Sequence, residues 1–318
     1  MNQKKFINEF RENDRIDQVF WLSQKELRPM KNGKFINLKL SDKTGSLEGK
    51  IWDNAEEVYD RLITESFIQV QGEVTEHNKK LQIKVHSFKP VKDDDVNLED
   101  FTPHTPKDID LLWAQLTETM DALADPYLKK LINLFLSDQK FIGVLRKSPA
   151  AIKLHHAYVG GLLEHIVNIL NLGKSLSAYY PVIKQDLLLV GIFLHDIGKM
   201  KEYSIKIMPD QTDEGRLIGH TSLGILILEE KTQQIKDFPT ELLMELRHLI
   251  LSHHGEYEFG APVLPMTPEA LMLHYLDNLD AKMGQYQSLR EHITDPEERW
   301  SEWSNALERR LYLRKNPQ

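Results

Sequence analysis

Side chains that could bind metal are concentrated in one part of this 318-residue chain. Nine of the 13 histidines fall between residues 155 and 274, and acidic residues stand beside several of them. The sequence contains no cysteine, which excludes disulfides, thiol nucleophiles, thiolate-bound zinc and iron–sulfur clusters. Any metal must therefore be held by histidine and carboxylate, a ligand set that suits Mn, Fe, Co, Ni or Zn and, to a lesser degree, Mg.

His195 and Asp196 end the uninterrupted apolar run 187–194, which predicts a buried helix. An isolated charged carboxylate at such a place is very costly, and a divalent cation would also explain the neighbouring imidazoles. A carboxylate can bridge two cations, so we expect two sites that share Asp196. The first site would comprise His165, His195, Asp196 and Asp277, and the second Asp196, His220, His253 and His254. Two cations about 3.5–4 Å apart suit phosphodiester hydrolysis.

Two further charged residues lie at helical spacing from the predicted ligands. Lys199 follows Asp196 by three residues, and as a fixed cation it could stabilise charge on phosphoryl oxygens during catalysis. The alternative for Lys199 is a salt bridge to a ligand carboxylate. Asp280 follows Asp277 by three residues and lies on the same helix face. Asp280 is either itself a ligand or a residue that orients one, and we favour the orienting role.

Three other histidines in this region have less defined roles. His274 is expected to be structural. His155 and His156 lie about two helical turns before His165, so they either contact phosphate or cap the helix.

Apolar residues follow a helical period from Pro106 onward. The predicted helices cover residues 107–122, 126–137, 139–147, 155–179, 185–197, 219–235, 239–253, 267–292 and 296–313. Residues 204–218 are expected to form a small hairpin or a mobile loop. The last helix would bury Trp300, Trp303 and Tyr312 as a stripe in the core or in an oligomer contact.

Residues 15–90 alternate between apolar and polar positions in short runs separated by turns, a pattern typical of β-strands. Three strands, a helix over 55–63 and two more strands follow one another, which is the order of an OB-fold barrel. Residues 93–106 are polar, acidic and contain two prolines, so they read as a linker. The predicted fold is a small all-β OB-fold barrel (1–92) followed by an all-α helical bundle (107–318).

Nucleic acid is the ligand that the OB-fold order suggests for the first domain. Residues 1–92 hold 17 Lys and Arg against 14 Asp and Glu, whereas the rest of the chain holds 23 against 34. OB-fold faces stack bases on aromatic rings and follow phosphates with basic residues. Phe35 and Trp52 are therefore stacking candidates, although both could belong to the barrel core instead. The candidate phosphate contacts are Lys34, Lys39, Lys50 and Lys84.

The ordered set "H…HDIGK…H…HH…D" resembles the HD-domain metal-dependent phosphohydrolases, an all-α superfamily. His165, His195, Asp196 and Asp277 match its four defining positions, and Lys199 matches the lysine after the HD pair. The resemblance also implies that His220, His253 and His254 are the additional ligands of dinuclear members.

The layout of the full chain resembles the YhaM-type 3′–5′ exoribonucleases of Gram-positive bacteria, in "LHHAYVGGLLEH", "FLHDIGK", "GH…G" and "LSHHG". That resemblance implies degradation of single-stranded RNA, and of DNA, from the 3′ end to nucleoside 5′-monophosphates. It implies Mn²⁺ as cofactor, two ions per chain, with Co²⁺, Fe²⁺, Mg²⁺ or Zn²⁺ as alternatives, and assembly into a homo-oligomer.

Two other functions are compatible with these residues. The same cations could hydrolyse small or cyclic nucleotides, although such a substrate needs no strand-binding barrel. The chain could also be a non-catalytic nucleic-acid-binding regulator, for which a missing ligand would be the sign, and none is missing. No run approaches ~18 apolar residues and no signal peptide is evident, so we expect a cytoplasmic protein without a membrane partner.

Overall fold

The computed structural model describes residues 5–31, 33–77, 80–102, 104–151, 158–204, 210–291 and 299–314. The chain divides into two compact units, Met1–Pro103 and His104–Gln318. The predicted fold class, a small β-barrel followed by a helical bundle, is confirmed. Within the described residues, no helix is both long and apolar enough to cross a membrane.

Five strands close the barrel of the first unit in the order β1-β2-β3-β5-β4. The strands are β1 (Arg15–Met30), β2 (Gly33–Asp42), β3 (Gly45–Ile51), β4 (Ser66–His77) and β5 (Lys80–Val91), with a short helix α1 (Ala55–Tyr59) after β3. β1 pairs antiparallel with β2 and with β4, and a parallel pairing of β3 with β5 completes the barrel. Ile36, Leu38 and Leu40 of β2 point into the core, so the residues between them face outward.

The first unit extends beyond the last strand into the segment predicted as a linker, residues 93–106. Asp93–Asp95 and Leu98–Asp100 form short 3₁₀ turns. Phe101 is buried, and its ring lies 4.8 Å from that of Phe67 on β4. The boundary between the two units, after Pro103, lies within the predicted linker, and the first part of that segment packs against the barrel.

Ten helices form the described part of the second unit. They are α2 (Ile109–Asp121), α3 (Pro126–Leu136), α4 (Gln139–Leu145), α5 (Gly161–Ser177), α6 (Gln185–Leu194), α7 (Lys199–Glu202), α8 (Asp213–Ile218), α9 (His220–Thr232), α10 (Thr240–Ser252) and α11 (Pro268–Glu291). Every residue of α6 from Leu187 to Leu194 is buried. This helix therefore lies at the centre of the bundle, and its carboxyl end lies within the core. The short helix α8 and a bridge between Tyr203 and Gln211 occupy the described part of 204–218.

The predicted helix 296–313 is wrong. Residues 299–314 instead form two antiparallel arms, with bridges between Trp300 and Tyr312 and between Ser304 and Arg309. Glu308 has a positive φ of 52°, which turns the chain where a helix would continue. Trp300 and Trp303 are 56% and 58% exposed, so they do not belong to the core of this chain, and the alternative of an oligomer contact stays a prediction. The aromatic spacing reflects side chains on two facing arms rather than one helix face.

Candidate metal centre

Five helices bring the predicted ligands to one place in the second unit. His165 lies on α5, whereas His195 and Asp196 follow the last turn of the buried helix α6. His220 begins α9, and His253 and His254 follow α10. Asp277 lies in the middle of α11. These residues are separated by more than a hundred positions in the chain, so only the packed bundle can assemble them.

The first cluster gathers around Nε2 of His165. That atom lies 3.3 Å from Nε2 of His195 and 3.2 Å from Oδ1 of Asp277. Asp196 presents Oδ2 at 3.6 Å from His165 and 3.3 Å from His195. His165, His195 and Asp277 therefore offer three ligand atoms close enough to one another for one cation.

The second cluster uses the other oxygen of the same carboxylate. Oδ1 of Asp196 lies 3.6 Å from Nε2 of His220 and 3.6 Å from Nε2 of His253. Nε2 of His254 lies 3.2 Å from Nε2 of His220. Asp196 is 1% exposed and stands between the clusters, with one oxygen turned to each.

Four of the imidazole rings are held through Nδ1, which leaves Nε2 to face the clusters. His195 and His253 donate from Nδ1 to the carbonyl oxygens of Ile192 and Ile250, each at 2.7 Å. A carbonyl oxygen only accepts, so Nδ1 carries the proton of this bond and Nε2 is the nitrogen of each ring that faces the clusters. Nδ1 of His165 makes a hydrogen bond of 2.8 Å with Oδ2 of Asp280. Nδ1 of His220 lies 3.0 Å from Oε2 of Glu202 in an ion-pair contact.

Unpartnered buried atoms show that the residues fit a divalent cation. Within the described chain, Oδ1 of Asp196 and Nε2 of His253 face the second cluster and are buried without a hydrogen-bond partner. A separation of 3.6 Å is too long for a hydrogen bond. It is close to the roughly 3–3.5 Å expected between two ligands that each bind one cation at about 2.0–2.2 Å.

The electrostatics of the first cluster favour charged carboxylates. Burial raises the pKa of Asp196, but Lys199 and His195 outweigh this effect and hold that pKa well below its usual range. Burial alone would lower the pKa of His165, whereas the carboxylates of Asp277 and Asp280 raise it to about 10. Without a cation, a proton on His165 therefore supplies positive charge among the acids.

In the second cluster, the pKa values of His253 and His254 are lowered, in contrast to the raised pKa of His165. Burial lowers the pKa of His253 well below its usual range, and the neighbouring His254 and His195 lower it further. Burial, followed by the influence of His220, lowers the pKa of His254. Both rings are therefore neutral at physiological pH, which is the form that binds metal.

A chain of hydrogen bonds continues outward from His165. Asn168 donates to Oδ1 of Asp280 at 3.0 Å and accepts from Nζ of Lys107 at 2.7 Å. The same ammonium lies 3.2 Å from the buried carboxylate of Glu164. Sequence reasoning missed Lys107, Glu164, Asn168 and Glu202, because no spacing rule links them to the ligands. The acidic Glu164 inside an apolar helical run is the one local signal that could have indicated a buried polar partner.

Lys199 forms the ion pair that the sequence left as its alternative role. Its Nζ lies 2.6 Å from Oδ2 of Asp196, and the Lys199 side chain is 16% exposed. Burial lowers the pKa of this amine, but Asp196 outweighs burial and raises the pKa above the usual value. The lysine is therefore charged beside the clusters.

Two glycines allow the close approaches that the clusters need. A Cβ on Gly198 would collide with the carbonyl oxygen of His220, so only glycine lets α7 pack against the start of α9. Gly255 has a φ of 79°, and a Cβ there would collide with the ring of His274. Nδ1 of His274 in turn donates to the carbonyl oxygen of His253 at 3.0 Å, which agrees with the structural role expected for His274. His155 and His156 lie outside the described residues.

The predicted nucleic-acid residues lie on the outer surface of the barrel in the first unit. The rings of Phe35 and Trp52 are stacked, 4.6 Å apart with an interplanar angle of 25°. Trp52 is 36% exposed and Phe35 is half-buried, so neither is part of the core. Nζ of Lys50 lies 5.8 Å and 6.0 Å from the two ring centroids. This surface combines a stacking platform with a cation.

The four predicted lysines differ in the residues that lie next to them. Lys50 pairs in register with Lys84 on β5, which is exposed. Lys34 forms an ion pair with Glu56 at 2.5 Å, and Lys39 is exposed opposite Glu48 on β3. Lys50 and Lys84 therefore lie side by side. Acidic neighbours offset the charges of Lys34, Lys39 and Lys50, since Nζ of Lys50 lies 3.7 Å from Oε2 of Glu48.

Comparison with known proteins agrees with this architecture. Residues 162–282 match the HD domain family, and residues 21–91 match a family described as an OB-fold nucleic acid binding domain. A 3′–5′ exoribonuclease YhaM from Bacillus subtilis is 33% identical over 303 residues, which cover 95% of each chain. The chain belongs to the YhaM family of 3′–5′ exoribonucleases.

Other YhaM proteins extend this relationship. The Geobacillus protein is 35% identical over 287 residues, covering 89% of this chain and 86% of its own. The Oceanobacillus iheyensis protein is 36% identical over 287 residues, covering 90% and 89%. The YhaM resemblance noted from the motifs is thus confirmed across both units. Membership of the HD domain family also implies that the second unit depends on a divalent cation.

Proposed function

We propose that this chain removes nucleotides one at a time from the 3′ end of single-stranded RNA by metal-dependent hydrolysis. The observation that carries this proposal is the position of Asp196 between two histidine clusters, one on each carboxylate oxygen. A buried carboxylate shared in this way suits a pair of cations. The barrel surface around Phe35 and Trp52 supplies a place where a single strand can stack.

The proposed ligands divide into two sets that share one member. His165, His195, Asp196 and Asp277 would hold the first cation, and Asp196, His220, His253 and His254 the second. When bound, the cations would polarise a phosphate and activate water for in-line attack. Mn²⁺ is the first choice because the resemblance to the YhaM family implies it, and imidazole and carboxylate without thiolate also suit Co²⁺, Fe²⁺, Zn²⁺ and, to a lesser degree, Mg²⁺.

The remaining residues of the site orient the ligands and stabilise charge. Lys199 is charged and close to the clusters, so we assign to it the stabilisation of the extra negative charge on the phosphoryl oxygens. Asp280 and Glu202 fix the rings of His165 and His220 through Nδ1. The proposed products are nucleoside 5′-monophosphates, which require cleavage of the bond between the 3′ oxygen and phosphorus.

The experiment uses the full chain, Mn²⁺ and a 5′-labelled 30-nucleotide RNA without secondary structure. We expect a ladder of RNAs shortened from the 3′ end, loss of the ladder with chelator, and at least a thousandfold slower reaction for Asp196→Asn. A matched variant, Asp237→Asn at an exposed position, should retain the ladder. A single cleavage product, or undiminished activity of Asp196→Asn, would contradict the proposal.

The same assay separates the competing functions. Free and cyclic nucleotides in parallel reactions would be hydrolysed faster than RNA if the chain were a small-nucleotide hydrolase. Bound RNA without any hydrolysis would indicate a regulator. A single-stranded DNA of the same sequence tests the proposed activity on DNA. Assembly into a homo-oligomer and a cytoplasmic location stay predictions, and sedimentation of the purified chain tests the first of them.

A further inference from the structure

A groove of about 1050 Å³ lies between α11, the turn Tyr257–Phe259 and the two C-terminal arms of the second unit. Its walls carry four cations, Lys282, Arg290, Arg309 and Arg314, against the two carboxylates Glu258 and Glu308. The groove is thus positive, although residues 104–318 together hold 23 Lys and Arg against 29 Asp and Glu.

The four groove cations differ from other basic residues of this unit in their contacts with the described part of the chain. Among the described residues, none of the four forms an ion pair. Other cations of the same unit are paired, as the contacts Lys184–Glu245, Lys231–Asp138 and Arg247–Glu229 show. Lys282, Arg309 and Arg314 are also exposed. Unpaired cations gathered in one concave surface indicate an anionic ligand.

Aromatic rings accompany these cations in the groove. Phe259 is 61% exposed, and Tyr286 and Tyr312 complete the aromatic part of the lining. Tyr312 is held in place, because its hydroxyl accepts from Arg299 at 3.0 Å and its carbonyl oxygen accepts from the hydroxyl of Tyr286 at 3.0 Å. Aromatic rings beside cations that form no ion pair with the described residues are the combination that binds single-stranded nucleic acid.

One end of the groove approaches the second cluster. Phe259 precedes Gly260, where a Cβ would stand 3.8 Å from Nδ1 of His254. The helix α11 carries Asp277 on the face toward the clusters and Lys282, Tyr286 and Arg290 on the groove face. A strand lying in the groove would have to pass Phe259, at the edge of α11, to reach the metal clusters.

We propose that this groove binds the nucleotides of a single-stranded RNA that lie next to its 3′ end. The proposal rests on the proposed function, since it supplies a path for the same substrate. The barrel surface at Phe35 and Trp52 would be a second contact on the same strand. RNAs long enough to occupy the groove should then bind more tightly than a dinucleotide.

The test compares the full chain with the double variant Arg309→Glu/Arg314→Glu. The matched control is Lys140→Glu/Lys236→Glu, which makes the same charge change at exposed positions outside the groove. Anisotropy of a labelled 12-nucleotide RNA, in Ca²⁺ to suppress hydrolysis, gives affinity and its dependence on salt. We expect at least tenfold weaker binding by the groove variant, and a log–log salt slope smaller by about 1.4, or about 0.7 for each lost phosphate contact.

Kinetics give the second readout. In Mn²⁺, the groove variant should lose at least ten times more activity on a 30-nucleotide RNA than on a dinucleotide. Affinity and salt slope equal to those of the control would overturn the proposal. A change of oligomeric state with unaltered RNA affinity would also overturn it, and would identify the groove as a contact between copies.

These experiments distinguish a failure of the exonuclease proposal from a failure of the groove proposal. RNA binding that depends on the groove, but without any shortening of RNA by the unsubstituted chain, would retain the groove and reject the exonuclease. If the double variant fails to fold by circular dichroism, Arg309→Gln/Arg314→Gln serves in its place.

Discussion

Oδ2 of Asp280 lies 2.8 Å from Nδ1 of His165, on the side of the ring away from the first cluster. The other oxygen of Asp280 accepts from Asn168 at 3.0 Å, so the carboxylate is fixed at both ends. This contact orients Nε2 of His165 toward His195 and Asp277. Asp280 therefore acts on the cluster through His165, which fits the orienting role favoured from the sequence.

Removing the charge of Asp280 should weaken cation binding without removing a ligand. We expect Asp280→Asn to lower Mn²⁺ affinity about 10- to 100-fold, the usual effect of losing such a partner. Titration calorimetry on the chelator-treated chain measures it, and Asp237→Asn is the control. An unchanged affinity would show that packing alone orients His165.

Cation binding should release a proton from His165. Its pKa of about 10 in the metal-free chain means that the ring is protonated at pH 8, and a bound cation must displace that proton. Mn²⁺ affinity should therefore rise with pH between about 6.5 and 10. Calorimetry in buffers of different ionisation enthalpy counts the protons, and a count of zero at pH 8 would contradict the assignment.

The raised pKa of His165 also predicts how the stability of the metal-free chain changes at alkaline pH. A raised pKa means that the native state holds a proton that the unfolded chain has lost between pH 6.5 and about 10. The contribution of His165 to stability is therefore complete below pH 6.5 and is lost as pH rises through about 10. Urea unfolding of the chelator-treated chain at pH 6, 8 and 10 measures this decline. It should be smaller in Asp280→Asn, which lacks one of the carboxylates that raise the pKa.

The stacked rings of Phe35 and Trp52 should contribute to the affinity for RNA and not to the affinity for Mn²⁺. Stacking of one base contributes about 1–3 kcal/mol, so Trp52→Ala should weaken binding of a 12-nucleotide RNA roughly 5- to 150-fold. Ile63→Ala, which removes an exposed apolar side chain of the same barrel, is the control. Equal RNA affinities of the two variants would mean that bases do not stack on Trp52. The affinity for Mn²⁺ should be the same in both variants.

The close contact at Gly198 should make this position intolerant of any side chain. Gly198→Ala would force its Cβ against the carbonyl oxygen of His220, and overpacking of this kind costs about 1–3 kcal/mol of unfolding free energy. Gly143 lies inside α4 with open space around it, so Gly143→Ala should stabilise the chain by about 0.5–1 kcal/mol. Urea unfolding compares them, and equal effects would contradict the packing of α7 on α9.

The periodic parts of the fold could be predicted from the sequence because the spacing of their apolar residues indicates which positions are buried. Alternation around Ile36, Leu38 and Leu40 indicated a strand, and the apolar run of α6 indicated a central helix. The segment after α11 could not be predicted, because aromatics at 300, 303 and 312 fit a helix face as well as two facing arms. Only the turn at Glu308 and the partners across the arms decide between them.

The ligand types could be predicted, but their supporting partners could not. His195 and Asp196 stand next to each other after a buried run, so their chemistry is local in the sequence. Glu202 and Asn168 act through contacts made only in the packed bundle. Their residue types are common on helix surfaces, and nothing in their spacing separates them from solvent-exposed neighbours.

The most direct test of the account counts and locates the cations. Crystals of the chain grown with Mn²⁺ should show two anomalous-scattering peaks about 3.5–4 Å apart, one on each side of Asp196. One peak would lie among His165, His195 and Asp277, and the other among His220, His253 and His254. Peaks elsewhere, or a fully loaded chain with no cation beside Asp196, would contradict the shared-carboxylate centre on which the proposed hydrolysis depends.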